Sequence, residues 1–385
     1  MRTPLFREIK RRWPLLMGVV ILAPLLLAAC GENTPSVLGG NPPSILNTAG
    51  PVAQDESIVF WAILIIATIV FVLVEGALVY SIFRFRERPG METPRQDHGN
   101  MKLEIAWTVA PMVVLFIVLF FTIRGIFQVA PDAEPKSANT VSIEVAAHQW
   151  WWEFYYKGYN ITTADTMVIP ANTDIHVDLY SNNVIHSFWV PQLTGKTDVV
   201  PGHNNSKWFI ADASDVNKDY LGLCAEYCGT QHGNMRFTVH VDSANDFQTW
   251  VTQQQQASVT PAKGSLAAQG AQIFSQQCAS CHGIVGNNLK PSDVAQPSVA
   301  CDAPNANCKI GPNLTHFGSR NLIAGGVLTW SKSTCDPNDP NLLQDCNLAK
   351  WLNDPQGIKP GSDMVIGQLA PNQIQALVAY LESLN

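Results

Sequence analysis

Two long apolar runs interrupt a chain that is otherwise mixed in character. Ile58 to Ile82 is 25 residues with one charge, Glu75, and Ile105 to Ile123 is 19 residues with none. At about 1.5 Å per residue, each can cross the ~30 Å hydrocarbon core of a bilayer. The pattern predicts a transmembrane hairpin over 58–127, with spans at about 58–82 and 105–127. The loop between them carries Arg84, Arg86, Arg88, Arg95 and Lys102, which places it on the cytoplasmic side and both outer flanks outside.

Beyond Pro131 the period shortens. "TVSIEVAA", "DIHVDLYS", "SKWFIAD" and "MRFTVHVD" alternate or cluster apolar residues in strand-length pieces separated by Asn, Pro, Gly and Asp, as in a β-sandwich or barrel over 131–248. The polar run "TQQQQASVTPAKGS" reads as a linker, 249–265. Residues 266–385 then form a third unit with helical periodicity, clearest in "NQIQALVAYLESL".

The N-terminus adds a processing segment. Arg2, Arg7, Lys10, Arg11 and Arg12 precede an apolar run from Leu15 to Leu27 and then "LAAC" ending at Cys30. This is the pattern of a lipoprotein signal, 1–29, with Cys30 as the acylated residue; an uncleaved anchor is the alternative. Residues 30–57, rich in Gly, Pro, Asn and Ser, read as a tether. Export places the rest in a compartment that tolerates disulfides.

Composition agrees with a membrane-bound chain. Charged residues make up 14% and hydrophobic residues 46% of the 385, so part of the chain sits in lipid. The net charge of -7 excludes the basic face of a nucleic-acid binder. Between Pro131 and Gln248, 14 acids stand against 6 bases, a face suited to a basic partner as well as to solubility. Glu75 lies within a span and Glu104 at the start of the other; such an acid is either functional, paired with a neighbouring subunit, or drawn to the interface.

The nine cysteines divide into uses. Cys30 goes to lipid, Cys301 with Cys308 and Cys335 with Cys346 are candidate disulfides, and two pairs carry chemistry. In "CAEYCGTQHGNM", Cys224, Cys228, His232 and Met235 follow one another at i, i+4, i+8 and i+11, with His186 of "HSFWVP" upstream. A disulfide, a zinc site and a copper site are all open. A disulfide would not require His232 and Met235, and a thioether is a copper or iron ligand and a poor zinc ligand. One early His with a late Cys, His and Met is the one-copper pattern; a second cysteine allows two thiolates to bridge two copper ions. "CASCH", Cys278 to His282, is a c-type haem attachment motif. Met364 in "KPGSDMVIG" is the candidate sixth ligand, with His316 as competitor.

"HSFWVPQLTGKTDVVPG", "CAEYCGTQHGNM" and "AAHQWWWEFYY", together with the hairpin, resemble subunit II of cytochrome c oxidase over about residues 50–248. "GPNLTHFGSR" and "WLNDPQGIKPGSDM" resemble the cytochrome c domain fused to that subunit in caa-type oxidases. The resemblance implies a cupredoxin-like β-sandwich followed by an all-α class I cytochrome c domain. It implies a binuclear copper A centre on His186, Cys224, Glu226 through its carbonyl, Cys228, His232 and Met235, with the Glu226 side chain on a magnesium ion facing subunit I. One covalent haem c would be held by Cys278 and Cys281, with His282 and Met364 on the iron. Trp150 would be an exposed tryptophan where electrons come in, and Glu104 would stand at the mouth of a proton pathway. Implied partners are subunit I and other oxidase subunits in the bacterial cytoplasmic membrane. The donor would be an external cytochrome c, a cupredoxin or an upstream respiratory complex, with the two redox domains meeting through a flexible linker. The alternatives are a subunit of a nitric oxide reductase, a free-standing electron-transfer lipoprotein, and a quinol oxidase subunit that has lost its copper.

Overall fold

The computed structural model describes residues 43–91, 96, 99–135, 137–181, 183–284 and 310–385. The signal segment, Cys30, Arg95 and the Cys301 and Cys308 pair lie outside the described residues.

Helix α1 (Pro51–Arg84) and helix α2 (Met101–Val129) form the hairpin. Asn100 caps α2 by accepting from the Lys102 and Leu103 amides. Their apolar side chains face outward on all sides, Phe71 and Phe127 among the most exposed, so only lipid or partner helices can cover them. α1 starts at Pro51, earlier than the apolar run alone predicts. Pro at the first helical position is preorganised for a helix, and Val52 and Ala53 are buried at the foot of the sandwich. There the Ala49 amide donates to Gln192 O and the Gly195 amide to Glu56 Oε1.

The next region is a sandwich of two five-stranded sheets, ordered β3-β2-β1-β5-β8 and β4-β10-β9-β6-β7. The first contains β1 (Val141–His148), β2 (Trp151–Tyr156), β3 (Ile161–Ala164), β5 (Ile175–Ser181) and β8 (Asn205–Phe209). The second contains β4 (Thr166–Pro170), β6 (His186–Val190), β7 (Thr194–Val199), β9 (Lys218–Cys224) and β10 (Arg236–Asp242). β1 runs parallel to β5, and β4 to β10. Alternation is cleanest in β5, where Ile175, Val177 and Leu179 point inward. Trp152, Phe188 and Phe237 pack together in the core, the last two stacked with centroids 5.0 Å apart.

Helix α3 (Ala244–Gln254) occupies the first part of the predicted linker. Phe247 and Val251 bury one face of it against the sandwich, and Trp250 packs on Tyr156. Polar composition hides this helix because only its inward stripe is apolar.

The third region is built on α4 (Leu266–Gln277) and α8 (Pro371–Ser383), with α5 (Leu342–Asp345), α6 (Asn347–Asn353) and α7 (Pro355–Ile358) between them. Gly270 of α4 lies directly on the Ala376 carbonyl of α8, where any Cβ would overlap it, so the two helices cross at close range. A two-residue antiparallel pairing, β11 (Leu322–Ile323) with β12 (Leu328–Thr329), departs from a purely helical pattern. Cys335 and Cys346 are joined by a disulfide, and Cys346 Sγ accepts the Ala349 amide at the start of α6.

Candidate metal centres

β9 ends at Cys224 and β10 begins at Arg236, so residues 225–235 form a loop over one end of the sandwich. β6 pairs with β9, Phe188 opposite Cys224, which brings His186 beside that loop. The Ala225 amide donates to Ser187 O and the Cys224 amide to Met235 O, tying the loop down at both ends.

The soft donors converge. Cys224 Sγ stands 3.7 Å from Cys228 Sγ and 3.8 Å from His186 Nδ1. Cys228 Sγ stands 3.7 Å from His232 Nδ1 and 3.9 Å from Met235 Sδ. The Glu226 carbonyl lies 3.2 Å from Cys224 Sγ, while its side chain is exposed. His186, Cys224, Cys228 and Met235 are buried. A disulfide has its sulfurs at about 2.05 Å, so these thiols are separate. Their spacing is what two thiolates each about 2.3 Å from a common ion would span. The hydrogen bond with Cys228 lowers the Cys224 thiol pKa, against burial. Cys228 is pushed up, by that same pairing and by burial.

Asn183 supplies a feature that sequence reading missed. His186 Nε2 lies 3.0 Å from Asn183 Oδ1, which also accepts the Val184 amide. A carboxamide oxygen only accepts, so Nε2 carries the proton and the Nδ1 lone pair faces Cys224.

Cys278 caps α4, and the Cys281 and His282 amides both donate to Cys278 O, presenting the motif in one tight turn. His282 Nδ1 donates to Pro312 O at 2.9 Å, leaving Nε2 a free lone pair; burial pushes its pKa down and favours the neutral ring. Beside it lies a cavity of about 240 Å³ lined by Cys278, Cys281, His282 and Met364 among others. An apolar slot with a neutral imidazole, two free thiols and a thioether fits a covalently held haem. His316 does not line it; its Nε2 donates to Gln254 O.

Trp150 is not exposed. It is 8% accessible, because the third region is seated on it: Gly361 lies against its ring edge, and both Trp150 and Trp151 line the cavity. Its indole N–H donates to Cys228 O at 2.9 Å, alongside Gln149 Nε2 at 2.7 Å. Trp151 instead stacks on His148, and Trp152 is core. Glu104 lies half-buried in the first turn of α2, and Glu75 is exposed on α1.

Comparisons with known proteins cover the chain in three pieces. Residues 44–124 match the family described as cytochrome c oxidase subunit II, transmembrane domain; residues 160–242 match its periplasmic domain; residues 267–385 match cytochrome c. Cytochrome c oxidase subunit 2 of Alkalihalophilus pseudofirmus is 35% identical, over 90% of this chain and 92% of the relative. The Bacillus subtilis protein of the same name is 32% identical, over 97% and 98%. The solved periplasmic domain of subunit II of cytochrome oxidase from Bradyrhizobium japonicum is 27% identical, over 31% of this chain and 95% of that one, with a TM-score of 0.29.

Proposed function

The chain belongs to the family of cytochrome c oxidase subunit II, a component of an oxidoreductase complex, and from that membership we propose that it passes electrons from an external donor to the oxygen-reducing subunit I. The observation that carries this reading is the paired thiols of Cys224 and Cys228, 3.7 Å apart, each with one imidazole at 3.7 to 3.8 Å. Two coppers on His186, Cys224, Glu226 O, Cys228, His232 and Met235, and a haem c on Cys278, Cys281, His282 and Met364, would supply two one-electron couples.

The chain's own groups prepare both sites. His186 Nδ1 and His232 Nδ1 each face one thiol, and the Trp152, Phe188 and Phe237 cluster keeps water from beneath the loop. His282 is held in one tautomer by Pro312 O. Trp150 spans the gap, its indole N–H on Cys228 O and its far edge beside Gly361 next to the haem cavity. With that ring covered, donors meet the cytochrome c domain first. The donor is an external cytochrome c, a cupredoxin or an upstream respiratory complex.

The exposed Glu226 carboxylate is offered to a magnesium ion at the subunit I surface, and Glu104 to a proton pathway serving proton translocation. The hairpin would anchor the chain in the bacterial cytoplasmic membrane with both redox domains outside, helped by acylation at Cys30. Purification from native membranes followed by metal and haem analysis tests the reading. Two coppers and one haem c per chain, copurifying with an oxygen-reducing subunit I, are expected. Zinc in the Cys224 loop would overturn it, and a nitric-oxide-reducing partner would favour the alternative.

A further inference from the structure

Lys359 is 3% accessible, an unusual place for an ammonium group. Its three N–H donors are all used: Nζ meets Trp150 O at 2.5 Å, Ala324 O at 2.7 Å and Asn234 O at 3.1 Å. Trp150 and Asn234 belong to the sandwich, Asn234 lying between His232 and Met235. Ala324 belongs to the cytochrome c region. Burial pushes the Lys359 pKa down to about 8, while Asp165 favours its charge. Asp165, itself buried, accepts the Trp152 amide and also faces Arg320.

The surrounding backbone is shaped for the same contact. Gly325 has φ +68°, and a Cβ there would overlap both Lys359 Nζ and Trp150 O, so glycine is required on both counts. The Arg236 amide donates to Gly325 O at 3.1 Å, and Gln231 Nε2 to Pro360 O at 2.9 Å. Residues 359–361 and 324–326 therefore close on Trp150 and on loop 231–236. A buried ammonium is tolerable only when every donor is satisfied. Two of its three acceptors exist only while the two regions are in contact.

We propose that Lys359 is a positioning residue that latches the cytochrome c domain onto Trp150 and the copper loop, so that electrons cross between the two sites within a fixed docked arrangement and not by encounters of two tethered domains. This rests on the electron-relay reading above and deepens it. It also reserves Trp150 for the chain's own haem domain and closes it to outside donors.

The test uses the assembled oxidase with the full chain. Flash-initiated electron transfer from haem c to copper is followed as solvent viscosity and ionic strength are varied, with hydrogen exchange of the Arg236 amide measured in parallel. In the unaltered protein the rate is independent of both solvent variables and Arg236 is protected. Lys359→Met keeps the alkyl stem but removes the cation, and weakens docking by about a hundredfold, equivalent to losing one or two hydrogen bonds to an ion. Transfer then slows and becomes viscosity-dependent, and Arg236 exchanges faster. The methionine–iron and copper absorption bands stay unchanged, which separates undocking from misfolding. Asp165→Asn, which keeps an acceptor for the Trp152 amide, moves the same readouts in the same direction by less. Unchanged transfer and exchange in Lys359→Met would overturn the latch. Should that variant fail to assemble, a viscosity-dependent rate in the unaltered protein overturns it equally. Absence of copper or haem from the unaltered protein would sink the relay reading itself, a result distinguishable from either.

Discussion

Asn183→Ala should lower copper affinity without altering the fold. Asn183 is an exposed loop residue whose Oδ1 accepts from His186 Nε2 at 3.0 Å and from the Val184 amide at 2.7 Å. Removing it leaves the His186 ring free to exchange tautomers, and one of the two puts a proton on Nδ1, the atom facing Cys224. Loss of such an orienting partner typically reduces metal affinity by about 10- to 100-fold, or about 1.4 to 2.7 kcal/mol. The core strand β6 is untouched, since His186 stays buried and Phe188 keeps its stack on Phe237. Competition titration against a copper chelator reads the affinity, and thermal unfolding of the metal-free protein reads the fold. Asn183→Asp provides the converse: a carboxylate in the same place still accepts from Nε2 and raises the basicity of Nδ1, so affinity should be kept or increased. Equal affinities for the Ala variant and the unaltered protein would refute the reasoning, as would a drop in metal-free stability large enough to explain the loss.

Three further outcomes follow from other parts of the chain. Met364→Leu removes the thioether from the haem cavity, and His316, bonded to Gln254 O, is not placed to replace it; redox titration should show the haem potential falling and absorption the methionine–iron band disappearing. Glu382 is pushed up to about 7, chiefly by burial, with Oε1 buried and without a hydrogen-bond partner. Its folded pKa is above the unfolded one, so its contribution is fully present below about pH 4.5 and is lost as pH rises through about 7. Glu382→Gln should therefore flatten the fall in melting temperature between those values and, discounted for partial exposure, stabilise the domain by about 1 kcal/mol at neutral pH. Replacing both Cys335 and Cys346 by Ser opens a loop of sequence separation 11 and should lower denaturant stability of the cytochrome c region by about 2 to 3 kcal/mol; the same loss on adding reductant to the unaltered protein is the control.

Much of this molecule is written in short-range pattern. The two spans, the strands around Val145, Val177 and Val239, the closing helix and the two cysteine motifs were all legible, because each depends on residues within a dozen positions of one another. From Thr249 on, helix α3 reads as linker in the sequence, because Trp250 and Val251 of its apolar stripe stand in a glutamine-rich run. The Asn183 contact to His186 is also short-range, three positions apart, but an asparagine ahead of a strand is ordinary turn chemistry, and only the turn geometry shows its Oδ1 on Nε2. Tertiary structure alone decided that Trp150 is covered and that Lys359 is buried. Those two meet across 209 positions, and a lysine in "IKPGSDM" looks solvated until the carbonyls of Trp150 and Asn234 are brought to it. Local periodicity records which face of a segment avoids water, whereas the docking of one domain on another depends on donors and acceptors that satisfy each other only once both have folded.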